Sequence, residues 1–99
     1  MKLSILIPVY NEEKTIIGVL QRIKETKTDD IDYEIIVIND GSTDGTKKLL
    51  EENNTLYNSL INNSRNSGKG FSVKQGLKKS TGEYIIFRDA DLEYDPIEF

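Results

Sequence analysis

Asp89, Asp91, Glu93 and Asp95 stand at every second position near the end of the chain. On an extended backbone such residues share one face. Carboxylates crowded in this way repel one another unless a cation joins them. The chain has neither Cys nor His, which excludes thiolate and imidazole metal sites and Ser-His-Asp catalysis. A metal held here is therefore a hard ion bound through oxygen. Mg2+ or Mn2+ fits, with one or two carboxylates, waters and substrate phosphates in its shell. The alternative for this run taken alone is an exposed acidic loop. The apolar run 84–87 leading into it favours a site.

Three more polar clusters each follow an apolar run. They are Pro8-Val9-Tyr10-Asn11-Glu12, then Asn39-Asp40-Gly41-Ser42-Thr43-Asp44-Gly45, then Asn66-Ser67-Gly68-Lys69-Gly70. Asp40 can accept a hydrogen bond from a nucleobase ring N–H or a ribose hydroxyl, or it can serve as a turn residue for the loop 41–45. Asp44 reads as a helix N-cap. Gly68-Lys69-Gly70 opens a helix, where free N–H groups and the Lys69 ammonium can hold a diphosphate. It is not a Walker A loop, because the upstream Gly and the following Ser or Thr are missing. Asp40, Ser42, Asp44, Gly45 and Glu51 fit a calcium-binding loop only loosely. The strand-like segment 34–38 before it, and Lys47 and Lys48 inside it, argue against calcium.

Charge points the same way. Of 99 residues, 30% are charged and the formal net charge is -4, a poor prior for nucleic acid or an anionic membrane. Yet residues 53–82 hold Arg65, Lys69, Lys74, Lys78 and Lys79 and no Asp or Glu. A confined basic patch in an acidic chain suits a small phosphorylated ligand. A solvated helix face is the other reading for the last three lysines.

These clusters need elements to position them. The apolar runs 3–9, 33–38, 56–61 and 84–87 read as strands buried on both faces of a parallel sheet. Between them, Ile16, Val19, Leu20 and Ile23 follow helical spacing, with Asn11 as the N-cap and Glu12 and Glu13 near the positive end of the helix. A second helix is predicted over 43–52. A third is predicted over 70–79, with Val73 and Leu77 facing inward. Gly76 inside it costs about 1 kcal/mol relative to Ala, which implies close packing or a helix end. The order predicts an α/β fold: a Rossmann-like, mostly parallel sheet of about four strands with flanking helices. All four polar clusters then meet on one rim, at the carboxyl ends of the strands, where open sheets bind ligands.

Asp95-Pro96-Ile97-Glu98 has the residues of a helix start, so residues 1–99 are expected to be one unit that continues in the natural protein. The N-terminal apolar run is too short for a signal segment or a membrane span, which points to the cytoplasm.

Taken in order, the clusters resemble family 2 glycosyltransferases of the GT-A fold. The resemblance rests on Ile7-Pro8-Val9-Tyr10-Asn11-Glu12-Glu13 and Asp40-Gly41-Ser42-Thr43-Asp44. It continues through Asn66, Gly68, Lys69, Gly70 and Gly76 to Thr81-Gly82-Glu83 and Asp89-Ala90-Asp91. It covers nearly the whole chain and is strongest for the polyprenyl-phosphate sugar transferases, similar to dolichol-phosphate mannosyltransferase. It implies that Pro8, Tyr10, Glu12, Asp40, Lys69, Asp89 and Ala90 line a pocket for a nucleotide-diphosphate sugar. Asp40 would contact the base, Asp91 would hold Mg2+ or Mn2+, Asp89 would contact the ribose or the metal, and Glu93 would add a third metal contact. Glu93 stands where relatives often carry Gln, and Asn39 where they often carry Asp. The implied reaction is inverting transfer to an acceptor glycan, another hydroxyl or a polyprenyl phosphate, at the cytoplasmic face of a membrane. The general base would come from beyond Phe99. A fragment of this kind would bind donor without transferring sugar, and exposed apolar surface would make it self-associate.

Two other readings fit less well. A nucleotidyltransferase calls for a Gly-rich loop directly after the first strand, where Pro8-Val9-Tyr10-Asn11 stands. A non-catalytic receiver-like domain with an acidic pocket carries its acidic pair after the first strand, not the fourth.

Overall fold

The fold is that of a computed structural model, and residues 1–90 are described. Asp91, Glu93 and the helix start expected at 95–98 lie outside the described residues.

The elements follow one another as β1 (Lys2–Val9), α1 (Ile16–Thr26), β2 (Asp32–Asp40), α2 (Thr46–Glu52), β3 (Ser59–Asn63), α3 (Lys69–Lys79) and β4 (Tyr84–Phe87), with a 3-10 turn at Asn54–Leu56 before β3. The strands form one sheet in the order β3-β2-β1-β4, and every pairing is parallel. This is the Rossmann-like α/β arrangement that the alternation predicts. The chain builds outward from β1 to β3, then returns across the sheet to place β4 on the other side of β1. Strand order therefore reverses between β1 and β4, and that switch point is where an open sheet leaves a crevice.

Side-chain alternation along the strands fills two layers. Ile5, Ile7 and Val9 of β1 join Ile35 and Val37 of β2 on one face. There they meet Ile16, Val19, Leu20 and Ile23 of α1 and Leu50 of α2. The helical spacing of those four α1 residues is what turns one face of the helix to the sheet. Leu6, Ile36 and Ile38, with half-buried Ile61, line the other face, where α3 packs on β1 and β2. Each fully buried Leu or Ile contributes about 1.5–3 kcal/mol relative to exposure. The two layers hold the strands in register and so fix where their carboxyl ends meet.

Several details depart from the sequence expectation. Asn11 does not cap α1: it has a positive φ of 51°, and the cap position is Thr15, with no side-chain cap bond. The second helix begins at Thr46, because the loop before it is held by side chains of the β1 loop. The third strand begins at Ser59, since Leu56 lies in the 3-10 turn. In α3 the buried residues are Ser72 and Gly76, while Leu77 is 41% exposed. The helix lies so close to the sheet that only small residues fit beneath it. A Cβ on Gly76 would lie 3.0 Å from Ile38 Cδ1 and 3.1 Å from Leu6 Cδ1. Finally, β4 is not buried on both faces: all four of its residues are exposed, and among the described residues it pairs only with β1, at the edge of the sheet.

Candidate functional site

The carboxyl ends of the strands enclose a cleft of about 390 Å3, lined by Pro8, Val9, Tyr10, Glu12, Asp40, Asn66, Lys69, Ser72, Asp89 and Ala90. The size falls within the range of small-molecule sites. Four chain segments contribute: the end of β1, the end of β2, the entry to α3, and the residues after β4. All seven residues expected to form a donor pocket (Pro8, Tyr10, Glu12, Asp40, Lys69, Asp89 and Ala90) stand on this one wall.

Asp40 is the most firmly held of them. It is buried, at the last position of β2. Its Oδ1 accepts from Ser67 N at 2.9 Å and from Asn63 Nδ2 at 3.0 Å, and its Oδ2 accepts from Gly68 N at 2.8 Å. Burial pushes the carboxyl up. The Ser67 N–H, the Asn63 amide, the Gly68 N–H and the Ser72 hydroxyl more than offset this, so the net displacement is downward. Asn63 is itself fixed by Gln75, the two amides exchanging bonds of 2.9 and 2.8 Å. Asp40 thus fastens the loop before α3 to the end of β2. Neighbouring Asn39 is structural, because its amide donates to Asn62 and accepts from Ser42 N.

Gly41 makes this junction possible. Its φ is +72°, and a Cβ there would overlap the backbone at Arg65 and Asn66. Only glycine lets the two loops cross so closely.

The β1 loop is tied to the β2 loop by Asn11. Its Oδ1 accepts from Thr43 N at 2.7 Å and Asp44 N at 3.3 Å, and its own N–H donates to Ser42 Oγ. The left-handed backbone that Asn tolerates better than most residues turns this amide away from α1 and toward that loop. Glu12 N donates to Thr46 Oγ1, and Glu13 Oε2 accepts from Gly45 N. Asp44 accepts from Thr46 N at 2.9 Å and Thr46 Oγ1 at 2.6 Å, so it holds the entry to α2 one residue ahead of the assigned cap, Gly45. Thr15 Oγ1 donates to Ala90 O at 2.6 Å and lies 3.0 Å from Glu12 Oε2. That hydroxyl links the β1 loop to the segment after β4 across the switch point.

At the mouth of the cleft, Lys69 Nζ lies 2.7 Å from Asp89 Oδ1, with both side chains well exposed. One ammonium and one carboxylate are thus available to a phosphorylated ligand and its counter-ion. Among the described residues no three carboxylates converge; Asp91 and Glu93 lie outside them. The Asp89 carboxylate offers oxygen donors only, and a carboxylate suits a hard divalent ion. The N–H groups opening α3 carry no side-chain cap. That of Gly68 is taken by Asp40 Oδ2 and Asn66 Oδ1.

Sequence reasoning alone does not single out Ser72, Asn63, Gln75 or Thr15. The Ser72–Gly76 spacing of four is the available signal, since two small residues one turn apart mark the face of a helix that lies against something.

The cleft lies at the switch point of a doubly wound, parallel α/β sheet, and comparison with known proteins places the chain. The chain belongs to glycosyl transferase family 2, whose model matches residues 4–99. It is 38% identical over 103 residues to the undecaprenyl-phosphate 4-deoxy-4-formamido-L-arabinose transferase of Proteus mirabilis, covering 98% of this chain and 31% of that protein. It also resembles the crystal structure of Staphylococcus aureus TarS 1–349 in complex with UDP-GlcNAc, with a TM-score of 0.82 and 32% identity over 92% of this chain and 27% of that one. The mannosyltransferase PcManGT from Pyrobaculum calidifontis, in complex with GDP-Man and Mn2+, gives a TM-score of 0.76 and 29% identity over 90% of this chain and 27% of that one. The chain therefore spans less than a third of the length of these relatives. These likenesses agree with a GT-A fold. Among the described residues no helix is long and apolar enough to cross a membrane.

Proposed function

We propose that the protein to which this chain contributes is a metal-dependent, inverting glycosyltransferase. It moves a sugar from a nucleotide-diphosphate donor to an acceptor hydroxyl or a polyprenyl phosphate. Residues 1–99 supply donor and metal binding. The observation that supports this best is the gathering of Pro8, Tyr10, Glu12, Asp40, Lys69, Asp89 and Ala90 on one cleft at the strand-order switch. Relatives solved with UDP-GlcNAc or with GDP-Man and Mn2+ add support for a nucleotide-sugar ligand and a divalent ion.

In this reading Asp40 faces the base, and Pro8, Tyr10 and Glu12 line the nucleoside pocket. Lys69 approaches the diphosphate. A divalent cation bound by Asp89, Asp91 and Glu93 would stabilise negative charge on the leaving diphosphate. The acceptor oxygen attacks the anomeric carbon as the bond from that carbon to the diphosphate oxygen breaks. A hydroxyl acceptor's proton passes to a general base expected beyond Phe99.

The test is calorimetric titration of the chain with UDP, GDP and CDP, each with and without Mn2+, repeated on Asp91→Asn. One nucleotide should bind in a metal-dependent way, and the variant should lose that dependence. Absence of binding by a chain shown by circular dichroism to be folded would sink the proposal.

A further inference from the structure

Thr81-Gly82-Glu83 lies outside the cleft lining. It leads into β4 at the amino end of the sheet, roughly 17 Å from the cleft when counted from Ser4 to Val9 at about 3.3 Å per residue. There it meets a hydrogen-bonded cluster. Glu34 of β2 stands beside its β1 partner Ser4. Its Oε1 accepts from Ser4 Oγ at 2.7 Å and from Thr81 N at 2.8 Å, and the Thr81 hydroxyl lies 3.3 Å from both of its oxygens. Ser4 Oγ in turn accepts from Gly82 N at 2.9 Å. One residue on, Glu83 N donates to Lys2 O at 2.9 Å. Ser4 is fully buried, and Gly82 sits against it: a Cβ on Gly82 would lie 2.5 Å from Ser4 Oγ and 2.7 Å from Ser4 N. One point thus ties β2, β1 and the chain entering β4.

The strand β4 needs such a pin. Register is strongly specified where one face of a strand is buried, because a slip would turn its apolar set to solvent. Tyr84-Ile85-Ile86-Phe87 is apolar throughout and exposed on both faces, so burial does not choose among its registers. Nor does the ladder choose. Bonds such as Arg88 N to Leu6 O, 3.0 Å, join backbone groups that every residue but proline carries. A slip of one residue would move Asp89 by about 3.3 Å and turn its side chain to the opposite face, away from the cleft wall that it lines.

We propose that Glu34 and Ser4 are positioning residues for Asp89: by holding Thr81 and Gly82 they set the register of β4 and deliver Asp89 to the cleft from the far end of the sheet. The metal role of Asp89 rests on the donor-site reading above; the register role does not. Pro8, Tyr10 and Asp40 belong to the ends of β1 and β2, so a displaced β4 removes the metal contribution to binding and spares theirs.

The test combines NMR with titration of the 99-residue chain by UDP, GDP and CDP, with and without Mn2+. NOEs between backbone protons of Leu3 and Tyr84, and of Leu6 and Phe87, report the register. In Glu34→Ala they should weaken or move to neighbouring pairs. The Mn2+-dependent gain in nucleotide affinity should fall on the order of 10-fold or more, while affinity without Mn2+ holds. Glu34→Gln keeps an oxygen for Ser4 and Thr81 and turns its amide N–H groups toward the Thr81 hydroxyl, so it should restore both readouts. Ser4→Ala, which takes the acceptor from Gly82 N, should repeat the Glu34→Ala effect in weaker form and tests the pin should Glu34→Ala not fold. A merely stabilising cluster would lower Tm in these variants and leave the NOEs and the Mn2+ gain as in the parent, which would overturn the proposal. Glu34→Gln behaving like Glu34→Ala would also overturn it, and so would displaced NOEs with the full Mn2+ gain. Displaced NOEs in a series whose folded parent binds no nucleotide would overturn the donor-site reading and keep the register pin.

Discussion

Asp40 joins three elements through one carboxylate: β2, which carries it, the end of β3 through Asn63, and the entry to α3 through Ser67 and Gly68. Its folded carboxyl is held below the ordinary value of 3.8. A depressed carboxyl stabilises the fold above its unfolded pKa, and the contribution fades as pH falls through the folded one. Asp40→Asn turns one of the two acceptor oxygens into a donor, which with the amide oxygen kept at Oδ1 faces the Gly68 N–H. It should cost about 1–3 kcal/mol at neutral pH. Urea unfolding as a function of pH should show a shallower loss of stability below about pH 4 in the variant. An unchanged acid limb would mean that the charge of Asp40 is not what its neighbours hold. In the sequence Asp40 stands at a strand end, where it fits either a ligand contact or a turn residue. The structure gives it both settings, since one side chain fastens the loop and still lines the cleft. No local pattern can show that, because its partners lie 23 to 28 positions away.

At the scale of elements, legibility follows hydrophobic periodicity. The strands β1 and β2 are readable as near-continuous apolar runs, and the helix α1 by apolar residues at helical spacing. The inner face of α3 misleads for the opposite reason: the closest packing uses the smallest side chains, so Ser72 and Gly76 face the sheet and Leu77 faces out. Asn11 misleads because a polar residue before a helix reads as a cap, while its partners are 32 and 33 residues on. Gly41 shows how far such junctions control the site. Gly41→Ala combines a left-handed backbone with overlap at Arg65 and Asn66. It should destabilise the chain by about 1–3 kcal/mol and weaken nucleotide binding beyond what the stability loss explains, because the Asp40-bound loop must move. Thermal unfolding and titration of the same sample test both halves. A variant as stable as the parent would show that the two loops can separate at little cost.

For the molecule as a whole, the sheet is lopsided. One flank ends in β3, whose residues are mostly half-buried. The other ends in β4, paired on one side with β1 and, among the described residues, with no strand beyond it. Its four residues alternate faces, yet Tyr84, Ile85, Ile86 and Phe87 are 59%, 37%, 48% and 52% exposed. The edge is therefore apolar on both faces and carries no charged side chain to discourage pairing. The apolar run is plain in the sequence, and burial on both faces is its natural reading. Coverage depends on what lies beside a strand, and composition does not carry that. Unpaired backbone groups flanked by exposed aromatic and branched side chains favour association between copies of the chain. Light scattering across a concentration series should show the apparent mass rising with concentration. Ile86→Lys, which places a charge on one face of that edge while leaving the cleft residues in place, should return the chain toward monomer without loss of nucleotide affinity. An apparent mass that does not change with concentration would show that this edge does not drive association. Self-association undiminished in Ile86→Lys would move the contact elsewhere on the surface.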